Sequence, residues 1–284
     1  MGIGKGGLAL NRKTFAYPYI VWMALFIIVP LLLILYYAFV RVTPGKDIVF
    51  SLDYITRAFQ AQNLGVLVRS IWLAAIATAI CLLLGYPTAM LLSRLSSASA
   101  RTIAMLFVLP MWMNFLLRTY AWKTLLDDAG IINQVLIAVG IGKVKMLNTE
   151  GAIVLGLVYT FLPFMILPIY SVFLKINKSY IEAAEDLGAN KLGVFTKVVL
   201  PLSLPGVISG ITMVFMPAVT TFVVSQLLGG GKVMMYGELI ERQFMEQKNW
   251  GFGSALAVVM MVLMIVSMAI MRKYDKGSEG GALF

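Results

Sequence analysis

Five stretches of this chain, Phe15–Val40, Ser70–Leu92, Gly151–Leu174, Ser203–Gly231 and Asn249–Met271, carry no charged side chain. Each is longer than the roughly 20 apolar residues that a helix needs to cross the hydrocarbon core of a bilayer. A sixth, Thr102–Leu117, is charge-free but shorter. The 23 basic and 13 acidic residues all stand at the ends of these stretches or between them. A bilayer demands such segregation, because one Asp, Lys or Arg at mid-membrane costs at least about 2.5 kcal/mol. A segment in lipid must also satisfy its own backbone polar groups, which a helix does. The sequence therefore predicts an all-α membrane protein of about six transmembrane helices. The third is expected to extend to about Trp122, with Arg118 snorkelling from its end. Lys5, Arg12 and Lys13 before the first stretch resemble the basic region of a signal peptide. That stretch is too long for one and lacks a small-residue cleavage site, so a retained first helix is expected.

The residue inventory removes several classes of function. There is no histidine, hence no imidazole base or metal ligand. The single cysteine, Cys81, lies inside an apolar stretch, so neither a disulfide framework nor a zinc motif is available. An intramembrane enzyme would need paired carboxylates within the spans, and the spans hold none. Neither Gly2-Ile-Gly-Lys5 nor Gly229-Gly-Gly-Lys232 has the spacing or the final Ser or Thr of a phosphate loop. No catalytic residue, metal or cofactor is therefore expected on this chain. The net charge of +10 is a topology signal, since a nucleic-acid footprint would need a basic folded domain. Placing both termini in the cytoplasm puts just over half of the basic residues inside, on the shorter connecting segments.

Between the stretches the chain has a definite organisation. Residues 1–14 form an N-terminal segment, 15–271 the transmembrane region with an inner loop at 175–202, and 272–284 a tail; both ends are expected to be cytoplasmic. Thr43-Pro-Gly-Lys-Asp47 reads as a turn, and Ser51-Leu-Asp-Tyr54 as the start of a short helix. Ile131–Val139 is placed for a helix at the outer interface, and Glu238–Gln247 for a polar outer helix. Pro30, Pro87, Pro110, Pro163, Pro168, Pro205 and Pro217 lie in or at the ends of apolar stretches, where each removes a helical hydrogen bond. Proline is common in ordinary spanning helices. Pro217, followed by Thr220, Thr221, Ser225 and Gln226, is the one best placed to form part of a path.

The inner loop carries the functional reading. Ser179 and Glu182 have the spacing of a capping box that starts a helix, and Gly188 is placed to end it. Asn190–Val199 then reads as a second short helix, stopped by Pro201. The first helix offers Ala183 and Ala184 for close approach by a partner surface and Glu182, Glu185 and Asp186 for polar pairing. The pattern E-A-A-x3-G-x9-V-x-L-P from Glu182 to Pro201 resembles the EAA motif of ABC-importer permeases, with Val198 where isoleucine is usual. The likeness extends to Leu84-Gly-Tyr-Pro87, Asn114-Phe-Leu-Leu-Arg-Thr-Tyr-Ala-Trp122, Gly156-Leu-Val-Tyr-Thr-Phe-Leu-Pro163 and Met216-Pro-Ala-Val219. In these the chain is similar to the polyamine (spermidine/putrescine) permease subunits of that family.

The resemblance implies a type I ABC-importer permease fold and an ATP-driven importer of polyamines in the bacterial cell membrane. Implied partners are a second permease subunit, a cytoplasmic ATPase dimer carrying ATP and Mg, an extracellular solute-binding protein and the bilayer. It further implies that Glu182, Ala183, Ala184, Gly188 and Pro201 form the coupling loop that docks on the ATPase. Polyamines are chains of ammonium groups, for which carboxylates and aromatic faces are the natural hosts. Asp127, Asp128, Glu238 and Glu241 are candidates for the mouth of a path, and Trp112, Asn114, Tyr159, Phe222 and Gln226 for its lining. A permease for another small solute, such as iron or sulfate, shares parts of these segments, and a channel would not need the EAA loop.

Overall fold

The computed structural model describes residues 12–41 and 49–275. The turn read at Thr43–Asp47, the segment before Arg12 and the tail beyond Asp275 lie outside the described residues. The first span comprises α1 (Arg12–Met23), a π-helical turn at Ala24–Ile28 and α2 (Val29–Phe39). A short antiparallel pair, β1 (Val40–Arg41) and β2 (Val49–Phe50), stacks Phe39 on Phe50 and leads to α3 (Asp53–Ala58). Ser51 Oγ accepts from the Asp53 N–H at 3.1 Å at the start of that helix. The second span is α4 (Ala61–Arg94), and the fourth is α8 (Glu150–Phe173).

Between them the third segment is broken. Helix α5 (Ser97–Val108) tightens into a 3-10 turn at Leu109–Trp112, and after Met113 and Asn114 the chain resumes as α6 (Phe115–Leu126) and α7 (Ile131–Ala138). The two halves are bent by 90°, so a straight third span continuing to Trp122 is not what forms. Pro110 sits in the turn, and Asn114 Oδ1 accepts from the N–H groups of Leu116 and Leu117 at 2.9 and 3.4 Å, starting a new helix with its own cap. Among the described residues five helices are long and apolar enough to cross a membrane, or six if the broken pair counts as one span.

On the C-terminal side come α9 (Lys178–Asp186) and α10 (Lys191–Val194), then a π-helical turn at Phe195–Val199 and α11 (Leu200–Thr220). A second break at Thr221–Phe222 leads to α12 (Val223–Leu228), α13 (Tyr236–Met245) and the last span, α14 (Trp250–Asp275). Pro201 does not stop the second loop helix, as its sequence position suggested: Lys191–Thr220 is one apolar helical span. Proline clashes with the carbonyl four residues before it, and for Pro201 that is Lys197, inside the π turn. The wider turn moves this carbonyl aside. Pro30 follows the other π turn in the same way, with Phe26 at the corresponding position.

The centre of the bundle is α4, α8 and α11. Contacts of Cys81 with Val158, of Gly85 with Met165 and of Tyr86 with Phe173 make α4 and α8 run parallel. Helix α11 lies antiparallel on α8, with Gly206 beside Ile169 and Gly210 beside Met165. Leu73, Ala74, Ala77 and Cys81 on α4 recur at helical spacing, and with Ile153, Leu157, Met165, Ile166 and Ile169 on α8 they are buried to about 1% or less. Lipid tails are as apolar as these side chains, so close approach of small residues, not flight from water, holds such helices together. Helix α14 packs on α2, α3 and α13. None of Tyr17–Tyr37 is buried, so the first span stands at the edge of the bundle.

Gly206 illustrates the constraint. A Cβ there would lie 3.0 Å from the Ile169 Cα and the Pro168 carbonyl oxygen, backbone atoms that no rotamer moves. Gly206→Val is expected to push α11 from α8 and to cost about 1–3 kcal/mol, read as a lowered melting temperature in detergent. Val207→Ala, at the neighbouring buried position, deletes volume without a clash and is expected to cost less.

Candidate functional site

The loop at 175–202 folds into a helix, a turn and a helix that projects from the bundle. Asn177, not Ser179, is the cap of α9: its side chain accepts from the Ser179 N–H at 3.0 Å, so Ser179 is the capped donor and the helix begins before the expected capping box. Gly188 ends it with φ of +81°, a left-handed conformation that suits glycine. The N–H of Gly188 reaches the Glu185 carbonyl at 2.9 Å and that of Ala189 the Ala184 carbonyl at 3.0 Å. Asn190 caps α10 by accepting from the Gly193 N–H at 2.8 Å. The turn thus holds Glu182, Ala183 and Gly188 exposed and Ala184 half-buried, between the projecting apolar side chains of Tyr180, Leu187 and Leu192. Leu187 is 89% exposed. Pro201 lies apart from this surface, in a groove between α11 and α14.

Tyr86 ties the loop to the bundle. Its hydroxyl is 2.9 Å from Ser203 Oγ at the start of α11, and its ring meets Phe173 of α8 and Phe195 of the π turn edge-on, with centroids 5.4 and 6.0 Å apart. Gly85 beside it lets α4 approach Met165 closely, since a Cβ would lie 2.9 Å from the Met165 Cγ. The sequence pattern Leu84-Gly-Tyr-Pro87 thus has a physical content: close approach from the glycine and anchorage from the tyrosine.

A second site lies where the helices are broken. A cavity of about 500 Å³ is lined by Met111, Phe115 and Arg118 around the first break, by Thr160, Phe161 and Phe164 of α8, and by Pro217, Thr220, Thr221, Phe222 and Val223 around the second. Both breaks therefore open onto one space. Arg118 is the charged group in its wall. Its Nε is buried without a hydrogen-bond partner among the described residues, and its guanidinium is 5.9 Å from the Phe115 ring. Arg118 is thus a cavity residue one turn into α6, rather than a side chain snorkelling from a straight span.

Of the residues expected to line a path, Phe222 is in this wall and the others stand elsewhere. Trp112 is 86% exposed beside the first break, and Asn114 is the cap of α6. Tyr159 packs edge-on against Trp122 at 5.3 Å, and Gln226 is exposed on α12. Asp127 accepts from the Ala129 N–H at 3.1 Å, and Asp128 pairs with Lys143 at 3.3 Å on the exposed surface. Arg118, Thr160, Phe161 and Phe164 were not singled out for the wall. The pair Pro110 and Asn114, a breaker followed by a cap, is the signal in the sequence for the break that turns Arg118 inward.

Glu238 is corrected from its expected place at a mouth. It is 1% exposed, on α13 behind the second break, and accepts from Ser225 Oγ at 2.7 Å. Burial pushes its carboxyl above the usual carboxylate range, against the opposing pull of the Ser225 bond and the Arg242 charge. Glu241 is half-buried, with its Oε2 lacking a partner among the described residues.

A bundle of apolar helices with an open cavity at two helix breaks and a projecting helix pair is the architecture of a polytopic membrane protein, and likeness to known proteins gives its class as a transport permease subunit. The chain belongs to the family of binding-protein-dependent transport system inner membrane components, whose model matches residues 81–279. It is a multi-pass membrane protein of that transport class. It is 39% identical over 259 residues to the spermidine/putrescine transport system permease protein PotB of Haemophilus influenzae, covering 90% of this chain and 91% of that protein. It is 37% identical over 247 residues to PotB of Escherichia coli K12, covering 86% and 90%. A solved bacterial ABC transporter involved in import of the acidic polysaccharide alginate has a chain that superposes with a TM-score of 0.75 over 95% of both chains at 15% identity. The methionine transporter MetNI superposes at 0.51 over 77% of this chain and 96% of that one, at 17% identity. The fold is the type I ABC-importer permease fold.

Tyr86 offers a direct test of how the loop is held. Tyr86→Phe loses the Ser203 bond but keeps both ring contacts, at a cost of about 0.5–1.5 kcal/mol. Tyr86→Ala also loses the rings, and is expected to raise amide hydrogen exchange across Phe195–Val199 well beyond the Phe variant.

Proposed function

We propose that this chain is one of two permease subunits of an ATP-driven importer of polyamines. Sequence likeness to permeases named for spermidine and putrescine, over about nine-tenths of both chains in the first of them, is the observation that carries the substrate class. Energy comes from a separate cytoplasmic ATPase dimer that binds ATP and Mg, and substrate is delivered by an extracellular solute-binding protein. Both termini, residues 1–14 and 272–284, and the loop at 175–202 lie in the cytoplasm. The exposed surface of Glu182, Ala183 and Gly188, with Ala184 beside it and Leu187 projecting, docks in the ATPase, and Pro201 carries the loop into the fifth span. Inverting a two-state balance from 1:99 to 99:1 takes about 5.5 kcal/mol, within the reach of nucleotide binding at two sites.

The path runs through the cavity at the two breaks. Phe115, Phe161, Phe164 and Phe222 give it aromatic faces for ammonium groups, and the hydroxyls of Thr160, Thr220 and Thr221 give it acceptors. Outside this wall, Trp112 and Asn114 at the first break, Tyr159 on α8 and Gln226 on α12 extend the path, and Asp127 and Asp128 after α6 draw cations to its mouth. Arg118 stands in the wall, so the carboxylates that host the ammonium groups inside the membrane come from the second permease. An importer of another small solute would use the same coupling loop with a different cavity lining.

Uptake of labelled spermidine by vesicles carrying the complete transporter tests the substrate. Unlabelled putrescine and spermidine are expected to compete, and iron chelates and sulfate to have no effect; ATP-dependent uptake confined to another solute would discard the polyamine assignment. Separately, Glu182→Lys is expected to lower uptake at least tenfold while the subunit still assembles in the membrane. Normal uptake by that variant would overturn the docking role of the loop.

A further inference from the structure

The start of α13 grips three elements around the second break with three consecutive residues. The Tyr236 N–H donates to Ser70 Oγ of α4 at 2.7 Å. Gly237 lies so close to the carbonyl oxygens of Thr220 and Thr221 that any side chain would overlap them. Glu238 accepts from Ser225 Oγ of α12, with both residues buried. Ser225 Oγ is also 3.1 Å from the Phe222 carbonyl oxygen, at the residue where the chain turns and whose ring enters the cavity wall.

A buried carboxylate is a costly way to pack a helix, because its charge must be compensated by donors. A leucine would fill similar volume without that cost. What leucine cannot do is fix the hydroxyl of Ser225, and through it the first turn of α12. We propose that Glu238 is a positioning residue: it holds Ser225, Ser225 fixes α12 against the break, and the ring of Phe222 is thereby set in the cavity. Glu238 does not itself meet the transported solute in this arrangement. The serine has one proton, and because the Phe222 carbonyl already accepts from the Gln226 N–H at 2.9 Å, that proton is free to go to the carboxylate. The inference rests on the cavity being the transport path.

The test uses the complete transporter in vesicles, with spermidine as the probe. Ser225→Ala removes the donor, Glu238→Leu removes the acceptor at similar volume, and Glu238→Gln keeps an acceptor oxygen for the serine. Ser225→Ala and Glu238→Leu are each expected to raise the KM for spermidine roughly threefold to tenfold with little change in maximal rate. The double variant should match the singles, as expected for two ends of one bond, and Glu238→Gln should behave as wild type. Amide exchange across Val223–Gln226 should rise in the Ser225→Ala and Glu238→Leu variants but not in Glu238→Gln. Additive effects, or unchanged exchange in Ser225→Ala, would overturn the proposal, and the exchange readout applies whatever the solute. Should Glu238→Leu not assemble, Ser225→Ala alone decides by the same two measurements. Phe222→Ala separates the two claims: if it leaves the KM unchanged the path reading fails. If it shifts the KM while Ser225→Ala does not, the path reading stands and the positioning role falls.

Discussion

Inside a bilayer a backbone group that leaves its helix finds no water, so every departure from helical bonding must be answered by the protein itself. Among the described residues the structure is organised around four such departures in the apolar segments. At Ala24–Ile28 and Phe195–Val199 the helix widens by one residue per turn and continues past a proline. At Met113–Asn114 and Thr221–Phe222 it breaks and restarts. The widened turns keep a span continuous, whereas the breaks free backbone groups and create space. Asn114 answers the first break with its own side chain, and helix α13 braces the second from behind.

The distribution of polarity follows. The core of α4, α8 and α11 is apolar and held by small residues that let backbones approach. Some buried hydroxyls, such as Thr78 and Ser203, stay within the helices, while the charged Arg118 and a cluster of threonines stand at the breaks. A carboxylate such as Glu238 is tolerable there because Ser225 can meet it. Nothing in the apolar mid-sections of the spans could host either group at comparable cost.

Most of this architecture was legible in the pattern of charge-free stretches, because solvent exclusion by lipid leaves so little freedom. The glycine turn at Gly188 was equally plain, since its position after a short amphipathic run admits few alternatives. The failures share a cause: they concern where a helix continues. Pro201 reads locally as a stop, yet the π turn before it absorbs the missing donor and lets the span run on. Thr102 to Trp122 reads as one apolar segment, yet Asn114 starts a fresh helix inside it. Ser179 has capping-box spacing, but Asn177 stands two residues earlier and reaches its amide first. Residues of the cavity wall were the least legible. A wall is assembled from three separate parts of the chain, and Arg118, Thr160 and Phe164 declare nothing of their shared neighbourhood until the break turns them toward one another.

The continuity of the helix from Lys191 to Thr220 has a mechanical meaning. Its 30 residues, at about 1.5 Å per residue, form a rod of roughly 45 Å with the projecting loop at one end and the broken cavity wall at the other. A rod does not dissipate a push as a flexible linker would; it pivots where it is gripped and swings its far end. Gly206 and Gly210 press against α8 near its middle, where the approach of the two helices is tightest. A tilt of this rod about that point would carry Lys191 and Thr220 in opposite senses by comparable distances, which is the geometry that the proposed docking of the loop requires.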